Sequence, residues 1–311
     1  MPVLALLLLL VTAFQGPLNL ALSAPVARNW MTVFVAVVTQ ALPFLVLGVL
    51  LSAAIAVFVP SGFFARALPK RPAMAVPVAG MAGAVLPGCE CASVPVAGAL
   101  VRRGVTPAAA LAFLLSAPAI NPVVLTATAV AFPRNPRMVL ARFVASLLVA
   151  CVMGWFWQRL GRGDWLRPRA AAPEAPGRGR AAVLVATVRH DVLQAGGFLV
   201  VGAVAAATLQ TLVPAGWLHR VAGVPVLSVL ALAILAVLLS ICSEADAFVA
   251  SSLTQFSLTA RLVFLVVGPM IDLKLFALQV GTFGRRFAVR FAPATFAVAI
   301  GVSTVVGLVL L

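Results

Sequence analysis

The chain reads as an all-α polytopic integral membrane protein made of two homologous, inverted repeats, each holding a broken or re-entrant helix. Three observations predict that class. Hydrophobic residues are 63% of the 311 and charged ones 9%, a balance that the surface of a soluble domain does not accommodate. Apolar runs at or near the roughly 20 residues needed to cross a bilayer recur from end to end. Third, two stretches match each other in order. Phe44-Leu45-Val46-Leu47-Gly48, Val59-Pro60-Ser61-Gly62 and Arg66 return as Phe198-Leu199-Val200-Val201-Gly202, Val213-Pro214-Ala215-Gly216 and Arg220 at a constant offset of 154. Cys89 matches Cys242 at offset 153, and Phe113-Leu114, Pro118, Ile120 and Asn121 match Phe264-Leu265, Pro269, Ile271 and Asp272 at offset 151. Duplicated halves around a site at the bilayer midplane are a transporter pattern.

The apolar runs cover residues 3–22, 31–59, 73–101, 107–132, 138–158, 192–213, 224–253, 262–281 and 291–311. The first, within an N-terminal segment 1–29, has the length of a signal peptide. Residues 1–10 carry no Lys or Arg, however, and Pro25 follows Ala21-Leu22-Ser23-Ala24, which predicts a retained helix. Residues 30–158 form the first membrane repeat, 159–190 a basic linker rich in Pro and Gly, and 191–311 the second repeat. Two runs are too long for simple helices. Pro87-Gly88 interrupts 73–101, and Cys242-Ser243-Glu244-Ala245-Asp246 interrupts 224–253. Backbone unwinds inside a bilayer only where protein or a cavity shields it. A third break is expected at Ser116-Ala117-Pro118-Ala119-Ile120-Asn121-Pro122.

The net charge is +15, but the arginines fall in short loops between apolar runs. That distribution argues against nucleic acid as a partner and for retention in the cytoplasm, with anionic membrane lipids as neighbours. Charge also discriminates between topologies. If every run crosses once, Lys and Arg divide about 11 to 10 between the two sides, leaving out Lys274. If 73–101 and 224–253 fold back as hairpins, the division becomes about 15 to 6, which obeys the positive-inside rule. That second arrangement gives each half an odd number of spans and hence opposite orientations.

Of seven acidic residues, Glu90, Glu244, Asp246 and Asp272 lie in apolar surroundings, where a charge costs about 2.5–3.5 kcal/mol or more at a helix centre. Such groups are functional by default. Glu90, Glu244 and Asp246 are the candidates for proton coupling. The competing structural role is an ion pair, of Lys274 with Asp272 or Glu244, although residues two apart on a helix point away from each other. Cys89 and Cys91 flank Glu90. In an extended stretch, favoured here by Pro87 and Gly88, they face the same way. Soft thiolates suit a thiophilic species, with Cys242 from the equivalent break as a third ligand, whether that species is a solute or a metal ion. The four cysteines sit inside apolar segments and form no disulfide framework. Cys151 reads as a small hydrophobe. Asn121 and Asp272 each follow a proline by three residues, where they either line a polar substrate pocket or cap the next half-helix. His190 and His219 read as solvated segment edges.

Pro87-Gly88-Cys89-Glu90-Cys91, Val94-Pro95-Val96, Ala112-Phe113-Leu114, Ala117-Pro118-Ala119-Ile120-Asn121-Pro122-Val123 and Cys242-Ser243-Glu244-Ala245-Asp246-Ala247-Phe248 together resemble the ArsP-type predicted permeases, over nearly the whole chain. The resemblance implies a multi-pass inner-membrane permease, usually drawn with about eight helices, of a family in which some members export trivalent organoarsenicals such as methylarsenite. It also implies Cys89, Cys91 and Cys242 as thiol ligands for arsenic. Eight straight spans conflict with the hairpin count unless the first run is left out and all others cross. No Gly-x-x-x-x-Gly-Lys-Ser is present, so a gradient or a separate subunit must drive transport. No cofactor is expected. A membrane thiol-redox protein is the alternative, but it would ordinarily use Cys-x-x-Cys near a surface, whereas the spacing here is Cys-x-Cys.

Overall fold

The computed structural model of the protein describes residues 25–58, 68–69, 71–85, 90–161, 165–166, 180–212 and 224–311. The first apolar run, Cys89, Arg66, Lys70 and His219 lie outside the described residues. Among those described, twelve helices are α1 (Pro25–Phe58), α2 (Pro72–Ala82), α3 (Glu90–Arg102), α4 (Pro107–Ile120), α5 (Pro122–Ala131), α6 (Arg137–Leu160), α7 (Arg180–Leu212), α8 (Pro225–Leu239), α9 (Asp246–Ser252), α10 (Leu258–Met270), α11 (Leu273–Phe283) and α12 (Arg285–Leu310). No strand occurs among them, so the protein is an all-α polytopic membrane protein. α7 starts inside the basic segment expected to be linker.

Several starts follow from proline, whose fixed φ and missing amide suit the first helical turn. α2, α4, α5 and α8 all begin that way. Inside helices proline has the opposite effect and strips a carbonyl of its partner. Pro77 does so to Ala73, and the Trp155 indole N–H supplies the missing donor at 2.9 Å.

Among the described residues, six segments are long and apolar enough to cross a membrane: Pro25–Ile55, Pro107–Ala131, Arg137–Leu160, Val183–Thr211, Leu258–Phe283 and Arg285–Leu310. Two of these are broken. Between α4 and α5, Asn121 is extended (φ −66°, ψ 157°), and between α10 and α11, Ile271 and Asp272 are extended. α4 and α10 form the buried centre, with every residue from Ala108 to Ile120 and from Leu262 to Met270 inside the protein.

Side-chain contacts give the helix directions. Trp30 Nε1 near the start of α1 donates to Thr208 Oγ1 near the end of α7 at 3.0 Å, so these helices are antiparallel. The far end of α1 meets Arg102, whose Nη2 lies 3.5 Å from Ser52 Oγ. Gln194 Nε2 of α7 donates to the Gly281 carbonyl of α11, while Gly202 faces Lys274, which brings the end of α11 to the Arg102 end. Trp157 of α6 packs on Phe287 and Phe291 of α12 with ring centroids 5.3 and 6.1 Å apart. One end of the bundle therefore gathers Arg71, Arg102, Arg103, Arg159, Arg285, Arg286 and Arg290. At the other end, Gly307 of α12 meets Thr259 of α10.

The segment expected to be re-entrant follows from these directions. α2 starts at the arginine-rich end, where Ala73 meets Trp155, and reaches mid-depth, where Gly83 meets Ser116 and Ala117. α3 starts at mid-depth beside Lys274 and returns to Arg102. Thus α2 enters from, and α3 returns to, the same end. α9 runs the other way, from mid-depth beside Gly268 toward the start of α10. Helices at corresponding sequence positions, α1 and α7, α4–α5 and α10–α11, α6 and α12, point in opposite directions.

Candidate functional site

The interrupted segments meet at mid-depth, and there the polar residues collect into two linked clusters. In the first, Lys274 lies in the opening turn of α11. Its Nζ is 3.0 Å from Glu90 Oε1 and 3.2 Å from Asp272 Oδ2, with all three side chains about 1% exposed. Glu90 opens α3, where its carboxylate faces the positive end of the helix dipole. Asp272 stands just outside α11 as its N-cap and accepts the Leu275 amide. Because Asp272 is extended rather than helical, the two-residue spacing to Lys274 does not separate them. The pairing of Lys274 with Asp272, which the sequence offered as the competing structural role, is present, and Glu90, 184 positions away in sequence, is its second partner. Cys91 and Cys242, both buried, lie within electrostatic range of the Lys274 ammonium. Ser240, at φ 46°, ends α8 in a left-handed conformation uncommon for a residue with a side chain, and its hydroxyl accepts the Leu273 amide at 3.3 Å.

The second cluster centres on Arg142 of α6, which is fully buried. Its Nη2 is 2.9 Å from Asp246 Oδ2 and 3.2 Å from the Ser243 carbonyl, and its Nη1 is 2.8 Å from Thr128 Oγ1. Glu244 bridges the clusters, within electrostatic range of Glu90, Arg142 and Lys274. With every group ionised, the carboxylates of Glu90, Glu244, Asp246 and Asp272 against the cations of Arg142 and Lys274 leave a formal −2 in the middle of the bundle. Burying uncompensated charge is costly; Glu244, which is only partly buried, bears the least of that cost. Several buried atoms still lack a hydrogen-bond partner among the described residues: Glu90 Oε2, Arg142 Nε, Asp246 Oδ1, Ser146 Oγ and Ser243 Oγ.

Most residues singled out from sequence fall in this region. Glu90, Cys91, Cys242, Asp272 and Asp246 come together with Glu244 between them. Cys91 differs from expectation in conformation: it lies in the first turn of α3 rather than in an extended stretch, because the helix already begins at Glu90. Pro95 still acts there, leaving the Cys91 carbonyl without its helical donor. Asn121 is the N-cap of α5; its Oδ1 accepts the Val124 amide at 2.9 Å and its Nδ2 donates to the Ala117 carbonyl at 3.2 Å. Among the described residues no group of three His, Cys, Asp or Glu is arranged to hold a metal ion. Sequence reasoning missed Arg142. Its signal was there: an arginine inside the run 138–158 needs a buried partner.

A profile of the family described as "Predicted permease", ArsP_1, matches residues 27–310. The chain is 35% identical over 266 residues to the UPF0718 protein YcgR of Bacillus subtilis, covering 82% of this chain and 89% of that one. It is 29% identical over 285 residues to a Streptococcus mutans protein named provisionally as a two-component membrane permease complex subunit, covering 89% and 94%. No solved structure matches. A buried charge network between broken helices, with a profile match over nearly the full length, has one conclusion: the chain belongs to the ArsP_1 family of predicted permeases.

Proposed function

We propose that the protein is a gradient-driven secondary permease that exports a small thiophilic solute, of the trivalent organoarsenical class, across the inner membrane. The observation that carries the reading is that Cys91, in the first turn of α3, and Cys242, in the break before α9, are both buried within electrostatic range of the same ammonium. Trivalent arsenic bearing hydroxyl groups exchanges each for a thiolate. One As–S bond forms, and the hydroxyl leaves as water with the thiol proton. Cys89, adjacent to Glu90, is the third thiol of the set. Asn121 and Asp272, besides capping α5 and α11, border the substrate space.

Coupling falls to Glu90, Glu244 and Asp246. The formal −2 of the site supports this role, because protons supplied from one side and released to the other would neutralise it in turn. The matched sequence stretches and the opposed helix directions support an inverted duplication of 30–158 in 191–311, joined by the basic segment 159–190. The arginine-rich end is then cytoplasmic by the positive-inside rule. The S. mutans relative's name supports a further subunit for energising or gating, testable by affinity purification from native membranes.

The deciding experiment is a resistance and efflux assay in a sensitive host against arsenite, methylarsenite, antimonite and copper. Methylarsenite resistance, lost in Cys91→Ser and Cys242→Ser at unchanged membrane abundance, is expected. Full resistance in both variants removes the thiol mechanism.

A further inference from the structure

α1 and α7 pack on each other and together cover only one of two corresponding seats. Gly48 of α1 sits on Ala92 of α3, where a Cβ would lie 2.4 Å from the Ala92 Cα, and Gly202 of α7 sits on Lys274 of α11, where a Cβ would lie 2.7 Å from its Cα. Only glycine permits backbones this close. The covered seat is therefore α3 with α11, both running from mid-depth to the arginine-rich end. By the sequence offsets, its counterpart is α9 with α5, which also touch each other and run from mid-depth to the opposite end. Among the described residues, α1 and α7 make no comparable contact with that second seat. It is bare instead: Val123 is 51%, Val130 64% and Phe248 50% exposed. Among the described residues, the fold is thus closed toward the arginine-rich end and uncovered toward the other.

We infer that α1 and α7 move as one lid between the two seats, so that the arginine-poor end is the open mouth in this state and the exchange of seats opens the other. The inference rests on the permease reading and on the duplication. Offsets of 154, 153 and 151 specify the second contact. Gly202 moves onto Ala245, the counterpart of Ala92, and Gly48 moves onto Val123, the counterpart of Lys274. The same two glycines serve both seats. Small residues at both lid contacts let the backbones approach without a large desolvation cost, as in other close helix crossings in lipid.

The test introduces two cysteine reporters, one at a time, in sealed vesicles of both orientations, labelled with an impermeant maleimide and read position by position by peptide mass spectrometry. Thr126→Cys lies on the bare seat, and Thr282→Cys lies at the α3–α11 seam of the other, where the half-buried Thr282 faces Gly98 of α3. In the otherwise native chain, Thr126→Cys should label from the arginine-poor end and Thr282→Cys should be protected. Adding Gly48→Leu or Gly202→Leu wedges the observed contact apart. Thr282→Cys should then label from the arginine-rich end about tenfold faster, the effect of a shift of one decade in population. Since those variants can misfold, Val123→Trp is the complement. It fills the vacant seat at an exposed position, and should leave the native labelling pattern intact while stopping turnover. Three results overturn the inference: unchanged Thr282→Cys protection in both folded glycine variants, full transport in Val123→Trp, or Thr126→Cys shielded by a second copy that cross-links to it. Reporters that exchange as expected in a protein that moves no arsenical would leave the lid standing and overturn the substrate instead.

Discussion

Arg142 and Lys274 are each committed to carboxylates inside the bundle, and removing one partner of such a pair strands the other. Arg142→Met should destabilise the protein by about 3–5 kcal/mol, since Asp246 would remain buried and uncompensated. Thermal unfolding in detergent measures it. The double variant Arg142→Met, Asp246→Leu should regain most of that stability, because an apolar replacement of a buried pair is often neutral, while uphill transport stays lost. Recovery of both stability and transport would mean the pair is only a fastener. The carboxylates were legible as residues in the sequence, since charge inside an apolar run stands out. The pairings of Asp246 with Arg142 and of Glu90 with Lys274 were not. A spacing of 184 residues between Glu90 and Lys274 has no local signature, and the helical argument that separated Asp272 from Lys274 failed because a cap residue does not obey helix geometry.

At the scale of elements, the breaks at Asn121 and Asp272 have the same architecture with different chemistry. Both side chains accept an amide three residues on, so each closes the start of a half-helix. Only Asp272 also meets an ammonium. Asn121→Ala should cost about 1 kcal/mol, the usual value of a lost N-cap, seen as a lower melting temperature with transport kept in proportion to folded protein. Asp272→Asn retains the cap and discards the charge. It should melt near the native temperature yet change the pH profile of transport, whereas Asp272→Ala should lose both. The breaks themselves were readable from Pro87-Gly88, Pro118 and Cys242-Ser243-Glu244-Ala245-Asp246. That Cys91 is helical was not, since proline marks where a helix is interrupted but not which neighbour resumes it.

For the whole molecule, the helix directions put Arg71, Arg103 and Arg286 at one end and Arg134 and Thr254 at the other. Tags or single cysteines at the first three positions should all report from the cytoplasm, and those at 134 and 254 from outside. A tag at 71 on the opposite face from one at 103 would contradict the hairpin. Loop charge alone pointed to this arrangement, because positive residues resist translocation whatever the tertiary fold; the pairing of α1 with α7 over a single seat had no such linear signal. The distance between Glu90 and Lys274 also bears on how the protein is made. At about 5–20 residues per second, synthesis leaves the Glu90 carboxylate without its ammonium for about 10–40 seconds. During that interval the first hairpin, whose helices are too short to insert as independent spans, has no stable home in the lipid. Its biogenesis must therefore wait for the second half of the chain, and a nascent chain halted before α11 should be a substrate for membrane quality control rather than a folded half-permease.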